Sequence, residues 1–181
     1  FNFIDYTEKE INLNFPLTCA VGKSSSSKPK VIEITNRKIS KNDKPLVIIG
    51  KGVTFDTGGV NIKPGTSMRN MKKDMGGSAI AISLFLLANY FLKKTKIVLI
   101  APIAENAISS KSMRPGDVYS SVSGKSVEIA HTDAEGRLLL ADAIEKASSY
   151  NPCMIIDFAT LTGAARVAPV SYTHLRAHET Q

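Results

Sequence analysis

The chain has 181 residues, 43% of them hydrophobic, enough for one domain with a real buried core. Its 23 Lys and Arg exceed 16 Asp and Glu, a net charge of +7, which keeps nucleic acid open as a partner, although the basic runs lack the interleaved aromatics of single-strand binders. The two cysteines, Cys19 and Cys153, exclude a disulfide framework or a Cys-built zinc site and point to a reducing, cytoplasmic compartment; no apolar run reaches the roughly 18 residues of a membrane span, and no signal peptide is visible.

The chain starts without an initiator Met, and residues 1–20 read as a connector from a missing N-terminal domain. "KSSSSKPK" (23–30) reads as a flexible linker. "VIEI" (31–34) and "PLVIIG" (45–50) then predict strands. "GGSAIAISLFLLANYFL" (76–92) is long, apolar and unbroken, and predicts a buried helix. "KIVLIAPIAE" (96–105) and "SVEIA" (126–130) predict two more strands. "EGRLLLADAIEKASSY" (135–150) has helical spacing, and "CMIIDFAT" (153–160) is a further strand. Continuous apolar strands alternating with helices argue for an α/β sheet covered on both faces.

The loop after the strand at 45–50, "GKGVTFDTGGVNIKPG", carries Lys51 and Lys63 with Asp56 between them. A phosphate cradle is the first reading of a glycine-rich loop after a strand. The Walker pattern fails because Gly52, not Ser or Thr, follows Lys51. The dinucleotide pattern fails because Phe55 stands at the third glycine position.

In such sheets chemistry gathers where strands end. Asp56 lies just past one strand, Asp74 sits in "MKKDMGG" before the long helix, and Asp133 and Glu135 sit in "HTDAEGR" between a strand and a helix. Asp74 and Asp133 would also serve as helix N-terminal residues stabilised by the dipole. That role leaves Asp56 unexplained. Several carboxylates without histidine favour hard or borderline divalent cations. A pair of such ions would make a hydroxide and polarise a carbonyl or phosphoryl oxygen. A lysine among them has two available jobs, as a neutral amine that binds metal or as a charged electrophile.

Together "GKGVTFDTGGVNIKPG", "MKKDMGGSA", "MRPGDV", "HTDAEGRLLLADA" and "DFATLTGA" resemble, in order and spacing, the catalytic domain of the leucine aminopeptidase family of two-metal metallopeptidases, over about 21–168. The resemblance implies an α/β fold with a mixed, largely parallel sheet sandwiched between helices, here truncated to a partial catalytic domain. It implies a metal-dependent aminopeptidase that removes leucine-like N-terminal residues from peptides with a two-metal-activated water. Lys51, Asp56, Asp74, Asp133 and Glu135 match the metal ligands, with Asp56 and Glu135 bridging. The two ions would be Mn or Zn, with Mg or Co as alternatives. Lys63 matches the lysine that polarises the scissile carbonyl, and Arg137 the arginine that holds a bicarbonate base. Met71, Thr160 and Gly163 match the lining of the first side-chain pocket, and Leu161 a residue whose carbonyl receives a substrate N–H. A homo-hexamer is the assembly implied for the full-length protein. The alternatives are a nucleic-acid-binding family member and an inactive fragment.

His131 stands where the family normally has Asn. It reads either as a metal ligand or as a replacement for a structural hydrogen-bonding side chain. After Ala168 the family pattern stops, and 169–181 is expected to be a non-native tail resembling a reading frame of a sequencing adaptor. His174 and His178 there are four apart, but Leu175 stands where a zinc-helix motif requires Glu.

Overall fold

The computed structural model describes residues 1–163. In chain order the elements are β1 (Asn2–Ile4), α1 (Glu8–Asn14), α2 (Pro16–Gly22), β2 (Lys30–Thr35), β3 (Leu46–Gly50), β4 (Gly52–Asp56), α3 (Gly65–Met68) and a 3-10 helix (Met71–Met75). They continue with α4 (Gly76–Phe91), β5 (Ile97–Asn106), β6 (Val118–Ser120), β7 (Ser126–Glu128), α5 (Gly136–Ser148) and β8 (Met154–Phe158).

The strand order is β1-β2-β5-β3-β8, and β4 follows β3 along the same side of β5. The β3–β5, β3–β8 and β4–β5 pairings are parallel, and the β1–β2 and β2–β5 pairings are antiparallel. The sheet is thus mixed, antiparallel from β1 through β2 to β5 and parallel from β5 through β3 to β8. There the side chains alternate between two cores, as a period of two requires. Val47, Ile49, Val98 and Ile100 face Leu140, Ala143 and Ala147 of α5. Ile48, Ile97 and Leu99 face Ala81, Phe85 and Ala88 of α4. Both faces are dry, which is why β3 and β5 read as unbroken apolar runs. Truncating Phe85, which is fully buried, would cost about 3–5 kcal/mol.

Several sequence expectations change. Residues 1–20 do not form a bare connector: β1 pairs with β2, and α1 and α2 bury Ile11, Phe15 and Leu17. The start signals are local, a Thr7–Glu10 capping box and Pro16 in the first turn of α2. The serine run of 23–30 is anchored, because Ser24 is buried and its hydroxyl accepts the Ala107 N–H while Ser25 bonds Glu105. The strand at 126–130 shortens to β7 and pairs with β6 in a separate hairpin. The long apolar helix buries one stripe only. Ile80, Leu87, Tyr90 and Phe91 on α4 are each more than half exposed. With the 3-10 helix before it, α4 forms a 21-residue helical stretch, Met71–Phe91, long and apolar enough by length and composition to cross a membrane. The apolar run 76–92 is too short by itself, and the 3-10 helix supplies the added length. Here the stretch is docked on the sheet through Ala81, Phe85 and Ala88.

That docking positions the site. A Cβ on Gly77 would lie 2.2 Å from the Phe158 carbonyl oxygen, so only glycine lets the start of α4 approach the end of β8. The 3-10 helix, with Asp74, is thereby held beside the break between β3 and β4.

Candidate metal centre

Lys51 occupies that break. Its N–H donates to the Phe158 carbonyl (2.9 Å), and its own carbonyl accepts the Ser78 N–H (2.9 Å), so its backbone is held by β8 and α4. The side chain is 2% exposed. Its Nζ lies 2.7 Å from Asp74 Oδ2 and 3.0 Å from Glu135 Oε1, and donates to the Thr160 carbonyl at 3.2 Å. The Thr160 hydroxyl donates to Asp74 Oδ1 at 2.6 Å. Glu135 is the N-cap residue of α5 and is buried.

Asp56 ends β4, beside the tip of β5. Its Oδ1 accepts the Gly58 N–H and the Asn106 side-chain amide, both at 2.8 Å. Its Oδ2 lies 3.0 Å from Lys63 Nζ, which is also 2.5 Å from Asp133 Oδ1. Gly58 and Gly59 have φ of +86° and +67°, a turn that glycine makes without strain and that folds Lys63 back over Asp56. Thr132 ties this loop to the one carrying Asp133 and Glu135. Its hydroxyl donates to the Gly58 carbonyl (2.6 Å) and accepts the Asn61 N–H (2.9 Å), and its N–H donates to Asn61 Oδ1 (2.8 Å).

The five sequence-predicted ligands therefore converge, drawn from β4, the strand break, the 3-10 helix and the loop before α5. One carboxylate oxygen from each of Asp56, Asp133 and Glu135 lies within 4.8 Å of the others. Burial pushes the Glu135 carboxyl up to about 7; the Lys51 charge opposes this and the Asp56 charge reinforces it. Burial opposes the charge on Lys63, but hydrogen bonds to Asp133 and Asp56 outweigh it and hold its pKa above the ordinary lysine value. Asp74 Oδ2 and Asp133 Oδ1 are buried, and among the described residues each has a single lysine ammonium as its partner, Lys51 and Lys63 respectively. Buried carboxylate oxygens held by cations alone, in a cluster this tight, are the donor set a divalent cation takes.

A cleft of about 370 Å³ opens on the cluster, lined by Asp56, Lys63, Asp74, Met71, Thr160, Leu161 and Gly163, and also by Lys73 and Thr162. All four predicted substrate-pocket residues are thus at the site. A larger cleft of about 820 Å³, between Lys23, Tyr119 and the N-terminal helices, holds none of these residues. The convergence of ionisable groups, rather than volume, marks the site. Arg137 stands apart, exposed on the first turn of α5, and its guanidinium makes no hydrogen bond or ion pair among the described residues. His131 is exposed, and its Nδ1 accepts the Asp133 N–H at 3.2 Å, a structural contact rather than a place in the carboxylate cluster. His174, His178 and the tail lie outside the described residues. Sequence reasoning missed Asn106 and Thr132, which support the ligands. Asn106 had a signal, as a polar residue at the C-terminal end of an otherwise apolar strand.

Residues 4–177 match the model of the cytosol aminopeptidase family, catalytic domain. A "Probable cytosol aminopeptidase" of Corynebacterium efficiens is 50% identical over 151 residues, covering 82% of this chain and 29% of that protein. One of Vesicomyosocius okutanii is 46% identical over 153 residues, covering 84% and 32%. The crystal structure of cytosol aminopeptidase from Coxiella burnetii superposes with a TM-score of 0.81 at 43% identity, covering 92% of this chain and 36% of that one. The bottromycin maturation enzyme BotP in complex with Mn gives a TM-score of 0.82 at 34% identity, covering 92% and 37%. The chain spans about a third of the length of these relatives. With its mixed sheet and the match over nearly its whole length, the chain belongs to the cytosol aminopeptidase family.

Proposed function

We propose that the protein carrying this chain is a two-metal aminopeptidase that removes leucine-like N-terminal residues from peptides. The observation that supports this most directly is the convergence of Lys51, Asp56, Asp74, Asp133 and Glu135 beside a cleft that Lys63 also lines. Asp56, Asp133 and Glu135 would hold one divalent ion. Lys51 and Asp74, sharing Asp56 and Glu135, would hold the other. Manganese, present in the BotP structure, and zinc both suit such ligands. Ions bound there supply Lewis-acid polarisation of a water and of the scissile carbonyl.

The chain's own residues supply the rest. Lys63, which lines the cleft, offers the positive charge of its ammonium to the carbonyl oxygen as it gains negative charge. Met71, Thr160 and Gly163 would receive the first side chain, and the Leu161 carbonyl would accept a substrate N–H. Arg137, exposed at the start of α5, would hold a bicarbonate that takes a proton from the attacking water. A cytoplasmic location and a homo-hexamer belong to the same reading; the curated relatives carry the name cytosol aminopeptidase.

The test is hydrolysis of leucine amide and short peptides by the full-length gene product before and after chelation. Metal removal should abolish turnover, and restoring Mn or Zn should recover it. Full activity in metal-free protein would overturn the reading.

A further inference from the structure

The two lysines of the cluster differ in their freedom. Lys51 is 1% exposed and pressed against Gly136, whose added Cβ would lie 2.6 Å from Lys51 Cε. Lys63 is fixed only at its root, by its N–H donating to the Thr57 carbonyl at 2.9 Å. Its side chain is 14% exposed and lines the cleft. Yet its ammonium lies against Asp56 Oδ2 (3.0 Å) and Asp133 Oδ1 (2.5 Å), two of the three carboxylates grouped within 4.8 Å. Among the described residues, Lys63 is the only ion-pair partner of that Asp133 oxygen.

A hard divalent ion bonds carboxylate oxygens at about 2.0–2.6 Å. Any such ion on Asp56 and Asp133 would sit within a few ångströms of the Lys63 ammonium, and like charges at that separation repel strongly inside a protein. We propose that Lys63 competes with a divalent cation for Asp56 and Asp133, so that loading this position drives the ammonium off the carboxylates and into the cleft. This rests on the two-metal reading and adds an order of events to it. The electrophile becomes available to substrate only after the metal has arrived. Lys63 then opposes metal binding, although it lies among the ligands.

The test is Mn²⁺ binding to the full chain, followed by calorimetry and by the electron paramagnetic resonance signal of free Mn²⁺, for wild type, Lys63→Met and Lys63→Arg. Lys63→Met, which keeps the stem and removes the charge, should bind Mn²⁺ at least tenfold more tightly. Lys63→Arg, which keeps the charge, should not. Equal or weaker binding by Lys63→Met, with wild type binding normally, overturns the competition and leaves the two-metal reading standing. No Mn²⁺ uptake by any of the three proteins overturns both. The unmutated chain gives a second readout. Acylation of Lys63 by an amine-reactive ester, quantified by mass spectrometry, should rise several-fold on adding Mn²⁺, and an unchanged or lowered extent would count against the displacement.

Discussion

The side chain of Lys51 lies across the α carbon of Gly136, so closely that a Cβ there would meet Lys51 Cε at 2.6 Å and Nζ at 2.8 Å. Gly136 therefore acts on the centre without touching a metal. It leaves the space through which the Lys51 amine reaches Asp74 and Glu135. Gly136→Ala should leave the fold intact, since the obstructed atoms are the far end of a flexible side chain. It should weaken metal binding at the Lys51–Asp74 position by about 10–100-fold, as loss of a supporting contact does in metal sites. Metal titration alongside a thermal melt checks both halves.

Lys51→Arg tests the ligand assignment itself. An ammonium has no lone pair, so ligation requires the proton to leave, and a guanidinium keeps its proton. The variant should hold only one tightly bound ion per subunit and lose turnover, although arginine matches the charge of a free lysine. Two tightly bound ions with normal turnover in the full-length protein would make Lys51 a packing residue.

Lys63→Ala should lower kcat of the full-length enzyme by about two to three decades, the usual loss when a charged oxyanion donor is removed. Its metal content should not fall. Loss of one ion in step with the rate would instead make Lys63 a ligand.

Asp142, buried on α5, accepts the Thr18 N–H (2.8 Å) and hydroxyl (3.0 Å) through Oδ2, while its Oδ1 has no hydrogen bond among the described residues. Burial pushes its carboxyl up to about 6, against the hydrogen bonds from Thr18. The folded value thus lies above that of the unfolded chain. The associated stability is present below about pH 4 and is lost as pH rises through 6. A shift of about two units corresponds to about 3 kcal/mol. Asp142→Asn should remove most of that loss, so urea unfolding at pH 4 and pH 7 should differ less in the variant than in wild type. An identical pH dependence in both would mean that Asp142 stays ionised at little cost.

Gly77→Ala is the structural counterpart. Its Cβ would lie 2.2 Å from the Phe158 oxygen and 2.9 Å from Ala159 Cα, all backbone, so nothing flexible can yield. α4 would have to move off β8 and carry Asp74 with it. A stability loss of about 1–3 kcal/mol, together with weaker metal binding, is expected. Calorimetric unfolding of the variant measures the first effect and metal titration the second.

The sequence by itself determined the alternation of strands and helices, because β3 and β5 are apolar on both faces and α4 and α5 carry unbroken helical runs. It also determined the ligand candidates, because their motifs are contiguous and local. The tertiary structure alone decided what depends on contacts between distant segments. Asn106 reaches Asp56 from 50 residues away, and Thr132 reaches Asn61 from 71. Neither partner can be read from the local pattern of the other. Hydrophobicity alone did not reveal that only one stripe of α4 is covered, since Ile80 and Phe85 are equally apolar and only the sheet's position separates them. Nor did it distinguish the two lysines. Lys51 and Lys63 lie in one glycine-rich stretch, and they differ because Gly136 and Thr160 enclose one ammonium while the other lies between Asp56 and Asp133 at the wall of the cleft.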